Sequence, residues 1–350
     1  MKAVILAGGE GTRLRPLTLS TPKPVVPVVD RPFLQHQLQL LTAAGVHEVV
    51  FSLAYRPERI RAVFGDGAAF GVHIRYAVEE TPLGTGGAVR NVLPLLDERT
   101  IVLNGDVLTD VDLGAIVARH VADKASATIL LTTVPNPASY GLVETDGHGR
   151  VLRFLEKPGP EEVTTDTINA GIYVLETPII ELMPSAVNHS IERAFFPALL
   201  ARGDRVLGPV HRGYWIDIGT PQKYLQVHED ILSGRFPVRL EGRRRGEGFV
   251  HETARVADDV VLDGHFYVGP GCEVAAGARL GPSATLVAEV RVEPGARIRE
   301  SVLWRGVSVG RDGEVERSLV GLGAEIGRST VLHDSVLGEG SIISDFSRAL

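Results

Sequence analysis

The sequence predicts an α/β domain with a mostly parallel sheet, followed by a left-handed parallel β-helix. Three observations carry that expectation. The chain has 350 residues, its first part alternates short apolar runs with amphipathic stretches, and in its later part an aliphatic residue returns every sixth position. A chain of this length exceeds the size at which one hydrophobic core keeps growing, so two domains are expected.

In the first part, residues 3–7, 48–54, 73–78, 101–104 and 125–133 read as strands. Residues 32–44, 57–64, 86–96 and 113–121 read as helices. In the first of these helices Leu34, Leu38 and Leu41 share one face, and Gly45 sits where a helix-terminating glycine belongs. Further strands are expected at 141–144, 151–155 and 168–175, with helices near 191–201 and 221–233. Such alternation implies a mostly parallel sheet covered by helices on both faces, which binds ligands at the carboxyl ends of its strands.

The style of the sequence changes after Gly234. Arg243-Arg244-Arg245-Gly246-Glu247-Gly248 is polar and glycine-bearing and reads as a linker. From Val256 the residues Leu262, Val268, Val274, Leu280, Leu286, Val292 and Ile298 follow at intervals of six. Four positions after each member sits another apolar, mostly small residue, from Val260 to Val302. In this hexapeptide repeat each unit forms one side of a triangular coil, with the aliphatic residue inside. The register slips near 304–313 and resumes in part through Val320, Ile326 and Leu332. Expected boundaries are a first domain over 1–234, a linker over 235–250 and a β-helix over 251–346. The last ten residues receive no role. Cys272 falls inside the coil, as packing.

Composition narrows the function classes. A net charge of −7 lacks the basic field that nucleic-acid binding needs, so no nucleic-acid partner is expected. The single cysteine rules out an intrachain disulfide and fits a reducing, cytoplasmic setting. The apolar N-terminus runs into Gly8-Gly9 too soon for a signal-peptide core, and no apolar run reaches membrane-spanning length, so no membrane association is expected. Arginine far outnumbers lysine. The lysines are Lys2, Lys23, Lys124, Lys157 and Lys223, so a lysine inside a motif carries some information.

Strand one ends in Leu6-Ala7-Gly8-Gly9-Glu10-Gly11-Thr12-Arg13-Leu14-Arg15-Pro16. Successive glycines let backbone amides approach a phosphate, and Arg13 and Arg15 can add charge-assisted bonds. An ordinary strand-to-helix turn would look similar. A dinucleotide fingerprint fails because Leu14 stands where its third glycine belongs, and a P-loop fails because no Gly-Lys-Ser/Thr follows. In Ser20-Thr21-Pro22-Lys23-Pro24, prolines on either side of Lys23 restrict its backbone. Alone this is a rigid loop with a solvated lysine; beside a phosphate loop it is a clamp for a transferring phosphoryl group.

These residues carry a resemblance. Leu6 to Leu17 followed by Pro22-Lys23-Pro24 is similar to the signature of the nucleoside-diphosphate-sugar pyrophosphorylases, and the string from Gly11 to Pro24 resembles their mannose-1-phosphate guanylyltransferase subgroup. The resemblance covers nearly the whole chain, since that subgroup also carries a C-terminal hexapeptide domain. It implies a Rossmann-like nucleotidyltransferase domain in which Leu6, Gly8, Gly9, Gly11 and Thr12 bind the nucleotide and Arg13 and Lys23 serve catalysis.

Two aspartates stand out. Asp106 ends the apolar strand Ile101-Val102-Leu103-Asn104-Gly105, and Asp217 lies between apolar neighbours just before a helix. One aspartate at a strand end is usually a cap or a turn. Two near a phosphate site point to Mg²⁺, which takes one or two carboxylates and completes its shell with phosphates and water. By resemblance they are the family's metal aspartates. The implied reaction is attack of a sugar 1-phosphate oxygen on the α-phosphorus of a nucleoside triphosphate, with pyrophosphate leaving. Such chemistry needs positioning and charge neutralisation rather than a protein nucleophile.

The segment from Glu79 to Gly87 precedes a helix and can be a turn with an N-capping threonine. By resemblance it cradles the base, with Glu79, Gly84 and Thr85 as contacts. Related thymidylyltransferases place glutamine where Glu79 stands. A carboxylate accepts two hydrogen bonds side by side, which suits the N1–H and 2-amino group of guanine better than the single N3–H of thymine. Tyr140-Gly141, Glu156-Lys157-Pro158 and Asn169-Ala170-Gly171 match the family's sugar-phosphate side, so Gly141, Glu156, Lys157 and Asn169 are expected there. Taken singly they are a turn, a surface ion pair and a strand end. Ser190-Ile191-Glu192-Arg193 also resembles the guanylyl subgroup, without an assigned chemistry.

The resemblance thus implies GTP and mannose 1-phosphate as substrates, with glucose-1-phosphate thymidylyl transfer as the alternative. A non-catalytic regulatory relative would be expected to lose Arg13, Lys23 or a metal aspartate, and all are present. The β-helix shows no clear histidine site for acyl transfer, so its expected role is homo-oligomer assembly.

Overall fold

A computed structural model describes residues 1–156, 159 and 163–349. The chain divides into two compact units, Met1–Gly9 with Leu34–Trp215, and Glu10–Phe33 with Ile216–Leu350.

The first unit is built on a ten-stranded mixed sheet. In chain order its main elements are β1 (Lys2–Leu6), α1 (Phe33–Ala43, whose first residue belongs to the other unit), β2 (Glu48–Leu53), α2 (Pro57–Phe64) and β3 (His73–Val78). They continue with α3 (Gly84–Asn91), β4 (Arg99–Asn104), α4 (Leu113–Ala122), β5 (Ala127–Thr133), β6 (Gly141–Thr145), β7 (Val151–Glu156), β8 (Thr167–Glu176), α5 (Thr177–Ile180) and α6 (Phe196–Arg202). The strand order is β7-β6-β8-β4-β1-β2-β3, and β5 pairs with β8. β1 runs parallel to both β2 and β4, and β2 is parallel to β3. These strands are connected through helices. β8, β6 and β7 are antiparallel to their neighbours. The β6–β7 connection is only a tight turn, in which Asp146 Oδ1 accepts from the amides of His148 and Arg150, both at 2.9 Å. A parallel connection would need a dozen residues or more.

The core follows the sequence pattern. Leu34, Leu38 and Leu41 are fully buried, and Gly45 takes φ +73° while Val46 N closes onto Leu41 O. Val4, Val50, Val102, Ile129 and Tyr173 form the centre of the apolar cluster. The expected helix over 86–96 is shorter: α3 ends at Asn91, and a 3₁₀ turn at Leu93–Leu95 follows, because Pro94 has no amide to continue the ladder. The expected helix near 191–201 is a π-helical turn, Ile191–Phe195, running into α6.

The second unit holds the β-helix. Its strands stack into three sheets of seven, six and six members, parallel throughout except for one hairpin, as a left-handed β-helix requires. Val268, Val274, Leu280, Leu286, Val292 and Ile298 are buried in its interior together with Cys272, whose thiol pKa burial pushes up to about 11. The slip expected near 304–313 lies instead at Glu300–Ser301, and it is regular. Leu303 pairs in register with Leu286, Val309 with Val292 and Val315 with Ile298, so one side of each later coil has five residues instead of six. The shortened corner recurs at Glu300, Arg317 and Asp334, which take φ of 48°, 44° and 47°. Full-length corners such as those at Glu289 and Asp312 also take a left-handed residue, at φ 52° and 54°, so the shortening is one residue fewer on the side rather than a different turn. Ser301, Ser318 and Ser335 stack just beyond it, each hydroxyl bonded to the carbonyl two residues before. The coil continues past 346, with strands at Ile342–Ile343 and Arg348–Ala349.

Within the stretch read as a linker, Arg243–Arg245 and Gly248–Val250 form a hairpin, and the second strand joins the β-helix alongside Phe266–Val268. Gly246, at φ +61°, allows the reversal. The strand's partner lies about twenty residues further on, so no local pattern announces it. The same unit contains α7 (Pro221–Leu232) and the loop Glu10–Phe33.

Candidate active site

At the carboxyl edge of the parallel strands, Leu6 lies between Ser52 and Asn104. Ala7 N donates to Ser52 O and Gly105 N to Leu6 O, both at 2.9 Å. A Cβ on Gly105 would lie 2.6 Å from Leu6 O, so the turn before Asp106 requires glycine. Nothing lies within 4 Å of a Cβ built on Gly9, which leaves that backbone open. Leu6, Gly8, Gly9 and Asp106 therefore share one edge. Gln37, buried on α1, clamps the Asp106 turn: its Nε2 donates to Asn104 O and Val107 O, each at 2.8 Å.

Glu79 follows β3. Its Oε1 accepts from Ser52 Oγ at 2.8 Å and its Oε2 from Leu83 N at 2.9 Å. The carboxylate thus holds its own loop with one lone pair on each oxygen, leaving a second on each for a ligand. Gly84, at φ +68°, starts α3; a Cβ there would lie 2.8 Å from His189 O. The capping-threonine reading fails, since the N-cap is Leu83 without a side-chain bond. Thr85 instead turns toward the 190s segment, donating to Glu192 Oε2 at 2.7 Å and accepting from Ile191 N at 2.9 Å.

On the other side, Gly141 opens β6 opposite Glu156. Asn169 sits where the β8–β5 register shifts, a bulge of the kind that re-aims side chains beside active sites. Its Nδ2 donates to the Tyr173 hydroxyl at 2.8 Å and its Oδ1 accepts from Gly171 N at 2.9 Å. Tyr140 packs edge-on against Trp215, whose Nε1 donates to Ala170 O at 2.9 Å. Lys157 and the side chain of Glu156 lie outside the described residues.

The second unit carries Gly11, Thr12, Arg13, Lys23 and Asp217. The loop is three short 3₁₀ turns folded together, with Thr18 Oγ1 donating to Gly11 O at 2.8 Å. Gly11 takes φ +64° and packs against the stem of Lys23, which is only 8% exposed. A Cβ on Gly219 would lie 2.8–3.0 Å from the Arg13 guanidinium, so the arginine rests on this glycine, two residues from Asp217. Lys223 Nζ donates to Asp217 Oδ1, and Thr220 caps α7 by accepting from Lys223 N.

This glycine edge followed by a folded Arg/Lys loop is matched by known proteins. Residues 2–234 match the family described as nucleotidyl transferase. The chain belongs to the nucleotidyl transferase family. Residues 262–347 match the GMPPB C-terminal domain. The chain is 44% identical over 298 residues to the mannose-1-phosphate guanylyltransferase of Mycobacterium tuberculosis, covering 85% of this chain and 82% of the relative. It is 32% identical over 348 residues to the UTP–glucose-1-phosphate uridylyltransferase of a Synechocystis strain, covering 89% of each. Among solved structures, HddC from Yersinia pseudotuberculosis complexed with GMP-PN aligns with a TM-score of 0.56 and 30% identity, over 65% of this chain and 97% of that one.

As a nucleotidyl transferase the chain is an enzyme that transfers a nucleotidyl group, of a family that generally uses a divalent metal. No group of three or more His, Cys, Asp or Glu residues that could hold a metal occurs among the described residues. A hard cation needs few protein oxygens, because phosphates and water can complete its shell, and Asp106 at the sheet edge offers one such carboxylate. No described helix is long and apolar enough to cross a membrane. Three residues escaped the sequence reading. Lys223 was visible as one of few lysines, three residues past the Thr220 cap. Gln37 and Glu192 left no local signal beyond the family-like string around Glu192.

Proposed function

We propose that this nucleotidyl transferase moves GMP from GTP to mannose 1-phosphate, giving GDP-mannose and pyrophosphate. The observation that carries this reading is the 44% identity to a mannose-1-phosphate guanylyltransferase across most of both chains. The similarity to a protein crystallised with a guanine nucleotide analogue supports the base.

An oxygen of the sugar phosphate forms the new bond to the α-phosphorus as the bond to the β-phosphate oxygen breaks, and the electron pair leaves with pyrophosphate. The backbone of Leu6, Gly8, Gly9, Gly11 and Thr12 follows the triphosphate. Arg13 and Lys23 neutralise charge that grows on the leaving group and the α-phosphoryl oxygens. Glu79 accepts from the guanine edge with its remaining lone pairs, beside Gly84 and Thr85. Gly141, Glu156, Lys157 and Asn169 hold the sugar phosphate. Asp106 and Asp217 would hold Mg²⁺, which when bound would supply charge neutralisation and a template for the phosphates. The β-helix serves self-association, and a monomeric mass by light scattering at micromolar concentration would refute that role.

The test is pyrophosphate release by the purified protein with Mg²⁺, crossing GTP, dTTP, UTP, ATP and CTP with mannose 1-phosphate and glucose 1-phosphate. Selective turnover of GTP with mannose 1-phosphate is expected. Preference for UTP or dTTP with glucose 1-phosphate would favour the uridylyl or thymidylyl alternative, which the Synechocystis relative keeps in view.

A further inference from the structure

Glu192 lies in the π-helical turn Ile191–Phe195, outside every residue assigned above. Its carboxylate is half-buried and takes three hydroxyl donors. Thr85 Oγ1 and Ser190 Oγ donate to Oε2 at 2.7 and 2.9 Å, and the Tyr173 hydroxyl donates to Oε1 at 3.1 Å. Glu192 makes no ion pair among the described residues. A partly desolvated carboxylate whose partners among the described residues are neutral hydroxyls is a costly way to fill space, so packing does not account for it. Its partners, however, lie on both sides of the site. Thr85 belongs to the first turn of α3, in the loop assigned to the nucleotide. Tyr173 is fully buried, and its hydroxyl accepts from Asn169 Nδ2 at 2.8 Å, which orients the amide assigned to the sugar phosphate. The surrounding backbone reinforces the first link: Gly86 N and Gly87 N donate to His189 O at 2.8 and 3.2 Å, and His189 N donates to Leu83 O at 2.8 Å.

We propose that Glu192 is a positioning residue that ties the nucleotide loop, through Thr85, to the sugar-phosphate amide, through Tyr173 and Asn169. The proposal rests on the assignment of those two sides made above. One carboxylate with two oxygens serves both chains of hydrogen bonds, so movement on one side is felt on the other. π-Helical turns recur at such functional positions.

The test is steady-state kinetics of Glu192→Gln and Tyr173→Phe, with each substrate varied at saturating levels of the other and thermal unfolding recorded alongside. The amide of Glu192→Gln can accept on one side only and must turn a donor toward a hydroxyl on the other. The expected result is a rise of about tenfold in KM for at least one substrate, with a lower kcat and a melting temperature close to that of the wild type. Tyr173→Phe is expected to raise KM for the sugar phosphate with little change for the nucleotide, and that split would not arise from a general loss of stability. Wild-type KM values in folded Glu192→Gln, or equal changes for both substrates in Tyr173→Phe, would overturn the proposal. If Glu192→Gln does not fold, the split in Tyr173→Phe decides alone. The wild-type chain in the same assay tests the substrate assignment separately: turnover of a different substrate pair would correct that assignment, and the variants would then be read with that pair.

Discussion

The indole Nε1 of Trp304 donates to the hydroxyl of Tyr224 at 3.1 Å, and that hydroxyl donates in turn to the carbonyl of Pro27. Trp304 belongs to the β-helix, Tyr224 to α7, and Pro27 to the loop that carries Arg13 and Lys23. Gly338 of the β-helix meets the same loop, since a Cβ there would lie 3.2 Å from Pro16 Cβ. The β-helix is therefore a brace for the signature loop. Tyr224 is fully buried and Trp304 3% exposed. Tyr224→Phe leaves an indole N–H and a carbonyl without their partner, and should cost about 1–3 kcal/mol in stability. Urea or thermal unfolding measures it, and an unchanged midpoint would remove the brace.

Gly219→Ala tests the seat of Arg13. The added methyl occupies the space of the guanidinium, which must shift. A fall in kcat of about tenfold to a hundredfold is expected, with the fold intact by circular dichroism. A variant with wild-type kcat would show that Arg13 does not need this seat.

Removing the divalent metal should abolish turnover. EDTA treatment is expected to silence pyrophosphate release and added Mg²⁺ to restore it. Asp106→Asn and Asp217→Asn should each lower kcat by about a thousandfold or more while leaving the melting temperature in the absence of metal nearly unchanged. Full activity in EDTA would contradict the role given to both aspartates.

His120 carries a pH dependence. It is fully buried, with Nδ1 2.8 Å from Thr128 Oγ1 and Nε2 3.0 Å from Glu176. Burial lowers its pKa below the ordinary 6.5, outweighing the opposite pull of Glu176. With the folded value below the unfolded one, the unfolded chain binds the proton first as pH falls. Its contribution is whole above about pH 6.5 and declines below it. Unfolding midpoints followed from pH 7.5 to 5 should fall, and His120→Gln should flatten that part of the curve.

Ser318 tests the shortened corner of the β-helix. It is fully buried; its Oγ donates to Glu316 O at 2.7 Å and accepts from Ser335 N at 3.1 Å. Ser318→Ala removes both bonds and should destabilise by about 1–3 kcal/mol, read as a lower urea midpoint. Stability equal to wild type would mean that the serine stack is dispensable.

Particular residues show what was legible. The hexapeptide interior was readable because burial there repeats along the chain, so Leu286 and Ile298 announce themselves by spacing alone. Glu300 did not. A five-residue side looks like a broken pattern until Leu303 is seen in register with Leu286. Glu79 was readable as a candidate on the loop before α3. That its oxygens already serve Ser52 and Leu83 was not, because Ser52 lies on a different strand.

The sequence by itself determined the two kinds of architecture, the glycine-rich edge, the Arg13 and Lys23 loop and the family, since each rests on local spacing or on a contiguous string. The tertiary structure alone decided which residues support them: Gln37 on the Asp106 turn, Gly219 under Arg13, Trp304 behind Tyr224, Glu192 between Thr85 and Tyr173. Thr85 and Glu192 are 107 positions apart and Tyr224 and Trp304 80. A hydrogen bond needs its two atoms within about 3 Å, and only the folded packing of helix, sheet and coil brings residues so distant in sequence to that separation.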